Sequence, residues 1–197
     1  MAFHLGLTGS IGMGKSTTAR LFSDEGCAVW DADAAVHRLY GAGGAAVEPI
    51  GEVFPKAIVA GTVDRQVLKE IIAENPDALK QIEAIVHPLL GSDRARFKAT
   101  SAQDILVFDI PLLFETGGNA AMDAVACVHV DPEVQEQRVL ARGTMTKEQF
   151  EMIRAKQMPN DEKCAMSDYV IVTDTLDHAR EQVQYIVSDI RKGLYHA

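Results

Sequence analysis

The sequence has few cysteines, and their arrangement does not point to a cross-linked or metal-bound scaffold. The three in 197 residues are Cys27, Cys127 and Cys164, and neither a Cys-x-x-Cys pair nor a Cys/His cluster at zinc spacing occurs. Their odd number and wide separation argue against the disulfide framework of a small secreted domain. We therefore expect neither a structural zinc nor a disulfide core, and we expect a cytoplasmic location.

The sequence also lacks long apolar runs and an excess of positive charge. No apolar stretch approaches the roughly 20 residues that a transmembrane helix needs, and the first residues lack the basic and apolar regions of a signal peptide. Lysine and arginine total 19 against 28 aspartate and glutamate residues, which gives a net charge of −9. This balance argues against a protein whose main activity is non-specific binding of nucleic acid. We expect no membrane and no nucleic acid as a partner.

The chain does have the composition of a globular protein. Hydrophobic residues make up 47% and charged residues 24%, both near the average for folded domains. Short apolar strands alternate with helical patterns, which predicts an α/β fold with a parallel five-stranded sheet and helices on both faces. The predicted strands cover residues 3–7, 27–30, 105–108, 124–130 and 169–172.

Two intervals between predicted strands are longer than one crossover helix requires. The first, 34–103, spans 70 residues and predicts an inserted helical lobe whose longest helix has a kink near Pro88. The second follows the fourth strand, where Thr146 and Gln149 have the spacing of a capping box that opens a helix. We predict one domain over residues 1–197, and its parts are a core at 1–33, 104–137 and 165–197, an insert at about 34–103 and a lid at about 138–164.

A phosphate-binding motif lies between the first predicted strand and the helix that follows it. Residues 9–16 read Gly-Ser-Ile-Gly-Met-Gly-Lys-Ser, a full match to G-x-x-x-x-G-K-[ST]. The glycines let backbone N–H groups turn toward phosphate oxygens, and the helix start adds a positive dipole end. Lys15 would supply a charge to the β and γ phosphates, and Ser16 a hydroxyl ligand to Mg²⁺. The alternative is a glycine-rich turn with an incidental lysine, which the complete motif between strand and helix disfavours.

Carboxylates follow the second and third predicted strands. Asp31 and Asp33 lie beyond the carboxyl end of the second strand, where open α/β sheets bind ligands, and alternation would point both to one side. Either could orient an acceptor hydroxyl and take its proton, or hold Mg²⁺ through water, and helix capping is the alternative. Asp109 has the form of a Walker-B carboxylate that binds Mg²⁺ together with Ser16. Four apolar residues before an aspartate are nevertheless common in strands.

Basic side chains in the predicted lid and insert are further candidates. Arg138, Arg142 and Arg154 follow the fourth strand, and a guanidinium fork suits a transferring phosphoryl group. A solvated helix face is the alternative for each arginine. His87 is a weaker candidate, with a cap or core role as its alternative. Phosphate binding alone does not name a reaction, because switches, motors and kinases share the loop.

With these motifs in this order, the chain resembles the dephospho-coenzyme A kinase family over nearly its whole length. The matching positions are residues 7–17, Asp31-Ala32-Asp33, residues 61–65, His87-Pro88, residues 109–115, Gln135, Arg138, Arg142 and Gln157. The resemblance implies a P-loop kinase fold with three layers, an inserted helical substrate lobe and a lid. It also implies ATP-dependent phosphorylation of the ribose 3′-hydroxyl of dephospho-CoA, the last step of coenzyme A synthesis.

The same resemblance implies roles for individual residues, with ATP and Mg²⁺ as cofactors. Catalysis would depend on Lys15, Asp33 and Arg142. The nucleotide would be bound by Gly9, Gly12, Met13, Gly14, Lys15, Ser16, Thr17 and Arg138. Ser16 and Asp109 would hold the metal. Dephospho-CoA would be bound by Thr8, Asp33, His87 and Leu112, and the insert would receive its nucleotide and pantetheine portions.

Two positions depart from the family pattern. Ser10 stands where the family usually has glycine, and Thr173 where it usually has asparagine. We expect these changes to alter a site near the adenine and to leave the reaction intact. Two alternatives stay open: a nucleoside or nucleoside-monophosphate kinase would need base-reading groups in the insert, and a nucleotide-dependent switch would hydrolyse without an acceptor. The chain has no guanine-reading Asn-Lys-x-Asp. The sequence predicts no particular oligomeric state.

Overall fold

The structure is a computed structural model that describes residues 2–196. Its strands are β1 (Phe3–Thr8), β2 (Ala28–Asp31), β3 (Ile58–Val59), β4 (Thr62–Val63), β5 (Ile105–Asp109), β6 (Ala124–His129) and β7 (Tyr169–Val172). Its helices are α1 (Lys15–Asp24), α2 (Ala32–Tyr40), α3 (Val47–Val53), α4 (Arg65–Glu74), α5 (Asp77–Thr100), α6 (Pro132–Ala141), α7 (Lys147–Lys156), α8 (Asn160–Ala165) and α9 (Leu176–His196). Within the described residues, no helix is both long enough and apolar enough to cross a bilayer.

The chain divides into two units. One unit comprises the chain up to Trp30 and from Ser101 onward, and the other is Asp31–Thr100. The larger sheet has the order β2-β5-β1-β6-β7. In it, β1 pairs in parallel with β5 and β6, and β6 pairs in parallel with β7. The predicted α/β fold with a five-stranded parallel sheet is confirmed.

Alternate residues of the sheet strands pack against α1 and α9. Leu7 of β1 and Val128 of β6 share one buried cluster with Phe22 of α1 and Val183 of α9. On the segment that follows β5, Leu113 belongs to a separate small cluster. Apolar side chains on both faces are what a parallel sheet between helical layers requires. Burial of each large apolar side chain contributes roughly 1.5–3 kcal/mol to stability. The sheet is therefore a stable support for the loops at its edge.

Side-chain caps fix where several helices begin. Thr146 and Gln149 form the predicted capping box at the start of α7. Asp131 caps α6 by accepting from the amide of Glu133 at 2.9 Å. Such caps satisfy amides that have no partner inside the helix. The polar residues before these helices therefore position the segments that follow β6.

The second unit has a hydrophobic core of its own. Leu39, Ile50, Leu68 and Ile82, from four helices, are buried together in it. The unit was predicted as helical, but it also contains the antiparallel hairpin of β3 and β4. The strands are two residues each, too short to leave an alternating pattern in the sequence. The division of the chain into core, insert and lid stays a prediction.

Candidate active site

The loop from Gly9 to Ser16, here called the phosphate loop, has a backbone that requires its glycines. Gly9, Gly12 and Gly14 have φ values of 152°, 82° and 92°. A Cβ at Gly9 would lie 2.3 Å from Cγ2 of Val128, and one at Gly12 would lie 2.5 Å from Cγ2 of Val139. The loop is therefore packed directly on β6 and α6, and only glycine combines this close approach with positive φ.

The phosphate loop ends at the first amides of helix α1. Thr18 makes the first helical hydrogen bond of α1, from its amide to the carbonyl of Gly14 at 3.0 Å. The amides of Lys15, Ser16 and Thr17 precede that bond, so the helix supplies them with no acceptor. Ser16 and Thr17 are exposed. Together with the helix dipole, these groups form an anion-binding end of α1.

Lys15 and Asp109 are brought together by the pairing of β1 with β5. The register matches Leu7 to Asp109, so the end of β5 lies beside the start of the phosphate loop. The Nζ of Lys15 donates to Oδ1 of Asp109. Their side chains are 15% and 2% exposed. Lys15 and Asp109, predicted to bind phosphate and Mg²⁺ respectively, thus form one ion pair at the edge of the sheet.

Ser16 and Asp109 are a suitable donor set for Mg²⁺. Among the described residues, no group of three or more His, Cys, Asp or Glu side chains could hold a metal ion. Mg²⁺ does not need such a cage, because it usually keeps several waters and takes one or two protein oxygens plus substrate phosphates. The nearly buried carboxylate of Asp109 and the exposed hydroxyl of Ser16 are oxygen donors of that kind.

Two of the three candidate arginines line a cavity beside the phosphate loop. Its volume is about 260 Å³. The residues around it are Gly14, Thr17, Thr18, Arg138, Arg142, Thr173, Thr175, Leu176 and Ala179. Arg142 is the C-cap residue of α6 and is exposed. Arg154 instead lies over the ring of Phe150, with Cζ 5.2 Å from the ring centroid. This cavity adjoins the anion-binding end of α1 and has the cationic groups that a nucleotide phosphate would need.

Thr173, where the sequence departs from the family pattern, connects the phosphate loop to Arg138. Its Oγ1 donates to the carbonyl of Met13 at 2.7 Å and accepts from Nη1 of Arg138 at 3.2 Å. Nη2 of Arg138 also donates to the carbonyls of Thr173 and Asp174, at 2.6 and 3.2 Å. Arg138 is therefore held in place by three oxygens, whereas Arg142 has an exposed head that can turn toward a ligand.

Side chains near the start of α8 also hold the phosphate loop. Asn160 accepts from the amide of Ser10 at 2.9 Å, and Gln157 accepts from the amide of Ile11 at 3.2 Å. From α6, Gln135 donates to the carbonyl of Ile11 at 2.7 Å. Gln135 and Gln157 were recognised only through the family resemblance, and Asn160 was missed. The signal for Asn160 was slight, because its partner is 150 residues away in sequence.

The segment after β5, residues 109–115, is here called the acceptor segment because Leu112 was predicted to bind the acceptor. Leu112 is 42% exposed. Thr8 is buried, and its hydroxyl donates to the carbonyl of Pro111 at 3.1 Å. This contact gives Thr8 a role in holding the segment, in addition to the predicted contact with the acceptor.

Glu115, at the end of the acceptor segment, is part of an ion pair. Its carboxylate accepts from Nζ of Lys163 at 2.8 Å and from the amide of Met158 at 3.0 Å. Partial burial alone would raise the pKa of Glu115. The hydrogen bonds from Lys163 and the backbone outweigh that effect and hold the pKa below its ordinary value. Glu115 is therefore ionised at neutral pH.

The remaining candidates belong to the second unit. Asp31 is the last residue of β2 and caps α2 by accepting from the amide of Ala34 at 2.9 Å, so the capping alternative holds for it. The expected alternation of Asp31 and Asp33 is wrong, because the helix begins at Ala32. Asp33 is exposed in the first turn of α2, so the side-chain alternation of a strand does not apply to it. His87 is exposed on α5, which excludes its core alternative.

Comparison with known proteins shows the family of this chain. A family model described as dephospho-CoA kinase matches residues 3–178. The chain belongs to the dephospho-CoA kinase family. It is similar to the dephospho-CoA kinase of Ruegeria pomeroyi, with 73% identity over 197 residues that cover 100% of both chains. The family recognised from the sequence motifs is therefore confirmed.

Solved structures support the fold assignment of this dephospho-CoA kinase family member. A crystal structure of a Thermus thermophilus protein matches with a TM-score of 0.86 and 30% identity, and covers 95% of this chain and 97% of that one. The dephospho-CoA kinase from Campylobacter jejuni matches with a TM-score of 0.71 and 23% identity, and covers 98% and 99%. The predicted P-loop kinase fold is confirmed.

Proposed function

We propose that the chain transfers the γ-phosphoryl group of ATP to the 3′-hydroxyl of dephospho-CoA. The observation that carries this proposal is the pairing of Lys15 with Asp109 at the phosphate loop, beside a cavity lined by Arg138 and Arg142. These are the groups that phosphoryl transfer requires, because this reaction is catalysed mainly by positioning the reactants and by stabilising charge. The full-length similarity to the Ruegeria pomeroyi enzyme supports the choice of acceptor.

On the donor side, the phosphate loop binds the polyphosphate of ATP. The amides at the start of α1 donate hydrogen bonds to the phosphate oxygens, and Lys15 exchanges Asp109 for the β and γ phosphates. The backbone from Gly9 to Thr17 supplies contacts along the chain of phosphates. Arg142 turns from its exposed position onto the transferring group, where a planar fork can bind two of its oxygens. Arg138 holds the wall of the nucleotide cavity through Thr173.

Ser16 and Asp109 would hold Mg²⁺ through their oxygens. When bound, Mg²⁺ neutralises charge that develops on the phosphate oxygens. Asp109 would thereby have two partners, Mg²⁺ and the ammonium of Lys15, which its carboxylate positions before ATP binds.

On the acceptor side, Asp33 orients the 3′-hydroxyl and accepts its proton. Asp33 follows β2, the neighbour of β5 in the sheet, by two residues and is exposed. Leu112 contacts the acceptor near the reacting hydroxyl, and His87 contributes from α5. Thr8 is buried and supports Leu112 through its bond to the carbonyl of Pro111. Asp31 keeps its capping role, so of the two carboxylates only Asp33 is free to act as a base.

We propose a lid shorter than the 138–164 expected from the sequence. Gln157 and Asn160 are hydrogen-bonded to the phosphate loop, and Lys163 is bonded to the acceptor segment. We therefore assign the moving part to residues 142–156, which begin at Arg142 and end with α7. Closure over the substrates would bring Arg142 inward and exclude water. We also propose a cytoplasmic location, because three cysteines without disulfide spacing are typical of a reducing compartment.

An acceptor panel tests the proposed function. Purified protein with ATP and Mg²⁺ is supplied in turn with dephospho-CoA, adenosine, AMP and no acceptor, and ADP release is measured. We expect a kcat/KM for dephospho-CoA at least about 100-fold above that for the other acceptors, since a built acceptor site discriminates through several contacts. A preference for adenosine or AMP would favour a nucleoside or nucleotide kinase. Equal ADP release without acceptor would indicate a nucleotide-dependent switch.

A further inference from the structure

Lys163 is a charged side chain with no exposed surface. Its side chain is 0% exposed, on the short helix α8. Lysine is almost never fully buried unless it is paired, because an ammonium group loses its hydration in the interior. Nζ of Lys163 donates to Oε1 of Glu115 and to the carbonyl of Pro111, each at 2.8 Å. None of the contacts proposed above to ATP or to dephospho-CoA involves Lys163.

Both partners of Lys163 belong to the acceptor segment. The carbonyl of Pro111 receives two donors, Nζ of Lys163 and Oγ1 of Thr8 at 3.1 Å. Glu115 closes the other end of the segment, and its carboxylate also accepts from the amide of Met158. Lys163 is thus bonded to two points that flank Leu112, four residues apart in sequence.

The same helix reaches the phosphate loop. Asn160 lies three residues before Lys163, and residues at that spacing lie on one face of a helix. Its carboxamide accepts from the amide of Ser10 and donates to the carbonyl of Val128 at 3.1 Å. One side of α8 therefore bonds the phosphate loop through Asn160 and the acceptor segment through Lys163.

We propose that Lys163 is a positioning residue, which holds the acceptor segment at a fixed place relative to the phosphate loop. The inference rests on the proposed function. Lys163 does not touch substrate, since its ammonium is buried against Glu115 and Pro111. It acts through the segment that begins at Asp109 and contains Leu112. A small displacement of that segment would move the acceptor hydroxyl out of line with the γ-phosphate.

A stabilising role alone does not explain a buried ammonium at this position. Replacement of a buried ion pair by apolar residues of similar volume is often neutral or stabilising. An ammonium can, however, donate to Pro111 and Glu115 at once, and an apolar side chain can hold neither. The two roles therefore make different predictions for a variant that removes both charges.

The test compares Lys163→Met with the double variant Lys163→Met/Glu115→Gln, and Lys192→Met on the exposed surface of α9 is the matched control. Each protein is assayed for kcat, for KM of dephospho-CoA, for ATP affinity by calorimetry without acceptor, and for melting temperature. In Lys163→Met we expect kcat to fall on the order of 100-fold, because a misplacement of about 1 Å costs that much. The acceptor KM should rise, and ATP affinity should change by less than about threefold, because the phosphate loop keeps its contacts.

The double variant separates positioning from stability. It removes the uncompensated charge of Glu115, so its melting temperature should return toward that of the wild type, whereas kcat should stay low. Recovery of kcat together with the melting temperature would overturn the proposal, as would a Lys163→Met protein with normal kcat. If Lys163→Met does not fold, the double variant alone decides. If the wild type itself does not phosphorylate dephospho-CoA, the proposed function fails instead.

Discussion

Lys15 and Asp109 hold each other in place at the edge of the sheet. The ammonium of Lys15 rests on a carboxylate that is 2% exposed, and the lysine itself is 15% exposed. Charges in such a partly dehydrated position interact more strongly than they do in water. Lys15 is therefore already ordered beside the phosphate loop. Little further side-chain entropy is lost when it takes part in the reaction.

Replacement of Lys15 should lower turnover more than it weakens ATP binding. Negative charge moves onto the leaving β-phosphate oxygens in the transition state, where the ammonium contributes most. We expect Lys15→Ala to lower kcat by roughly 100-fold or more, by analogy with the loss of one oxyanion donor. Steady-state kinetics and a calorimetric ATP titration measure the two effects. Turnover like that of the wild type, in a folded variant, would refute the assignment of the phosphate loop.

Arg142 should not be replaceable by lysine. The two arginines that line the cavity beside the phosphate loop differ in the structure, since Arg138 is bonded to three oxygens and Arg142 is exposed. We expect Arg142→Lys to lose at least about tenfold in kcat/KM, because lysine keeps the charge but not the planar fork. Arg180→Lys, in a surface ion pair on α9, serves as the matched control and should be unaffected. If Arg142→Lys is as active as its control, the fork is supplied by another residue, and Arg138 becomes the better candidate.

At the scale of helices and strands, the sequence predicted the features whose interacting residues are close together in the chain. The capping box of Thr146 and Gln149 and the start of α1 at Lys15 were found because the interacting residues are neighbours in the chain. The glycines of the phosphate loop were found through a motif of eight residues. What the motif could not show is why they are needed, which is the approach of Val128 and Val139 from β6 and α6.

The contacts of α8 were not predictable in the same way. This helix has six residues, too few for an apolar period to stand out. Asn160 and Lys163 bind partners that are 150 and 52 residues away in sequence. Such pairs depend on the topology of the sheet, which places the ends of β1 and β5 side by side. Buried polar residues of this type are found from the folded structure, because their partners are not encoded nearby.

The bond between α8 and the acceptor segment should make stability depend on pH. The pKa of Glu115 is lower in the folded protein than its ordinary value, because the hydrogen bonds from Lys163 and the backbone outweigh desolvation. Its stabilisation is therefore complete above the ordinary glutamate pKa and is lost as the pH falls through the lower, folded value. Glu115→Gln should lower the free energy of unfolding by about 2 kcal/mol or more at pH 7, since it leaves the buried ammonium of Lys163 with a neutral partner.

This cost should shrink on acidification, because protonation makes the wild-type carboxyl neutral as well. Urea unfolding of the wild type and Glu115→Gln at a series of pH values from 7 to 3 measures the difference. Glu181→Gln on the exposed part of α9 is the matched control, for which we expect no comparable trend. A Glu115→Gln difference that stays constant below pH 4 would show that the charge of Glu115 does not stabilise the fold.

At the scale of the whole molecule, the candidate site residues are divided between the two units of the chain. The phosphate loop, Asp109 and both cavity arginines belong to the unit that contains the sheet. Asp33 and His87 belong to the unit Asp31–Thr100, which has its own core. The proposed donor residues thus all belong to one unit, whereas the proposed acceptor residues are divided between Thr8 and Leu112 in that unit and Asp33 and His87 in the other. A change at Asp33 should therefore leave donor binding intact.

Asp33→Asn tests this separation. The change keeps size and polarity but removes the proton acceptor, and general base catalysis is worth roughly 10²- to 10⁴-fold in rate. We expect kcat to fall within that range and ATP affinity, measured calorimetrically without acceptor, to stay within about threefold. Asp31→Asn is the matched comparison and should have the milder effect on kcat, because asparagine can still cap α2. Loss of ATP·Mg²⁺ binding in Asp33→Asn would make Asp33 a metal ligand and would end its assignment as the base.

The position of the transferred phosphate tests the central claim most directly. The wild-type protein is incubated with ATP, Mg²⁺ and dephospho-CoA, and the product is analysed by two-dimensional ¹H–³¹P NMR alongside ADP quantification. The account predicts a new phosphate coupled to the ribose 3′ proton and one ADP for each molecule of coenzyme A formed. A phosphate at another position, or ADP release that is independent of dephospho-CoA, would contradict it.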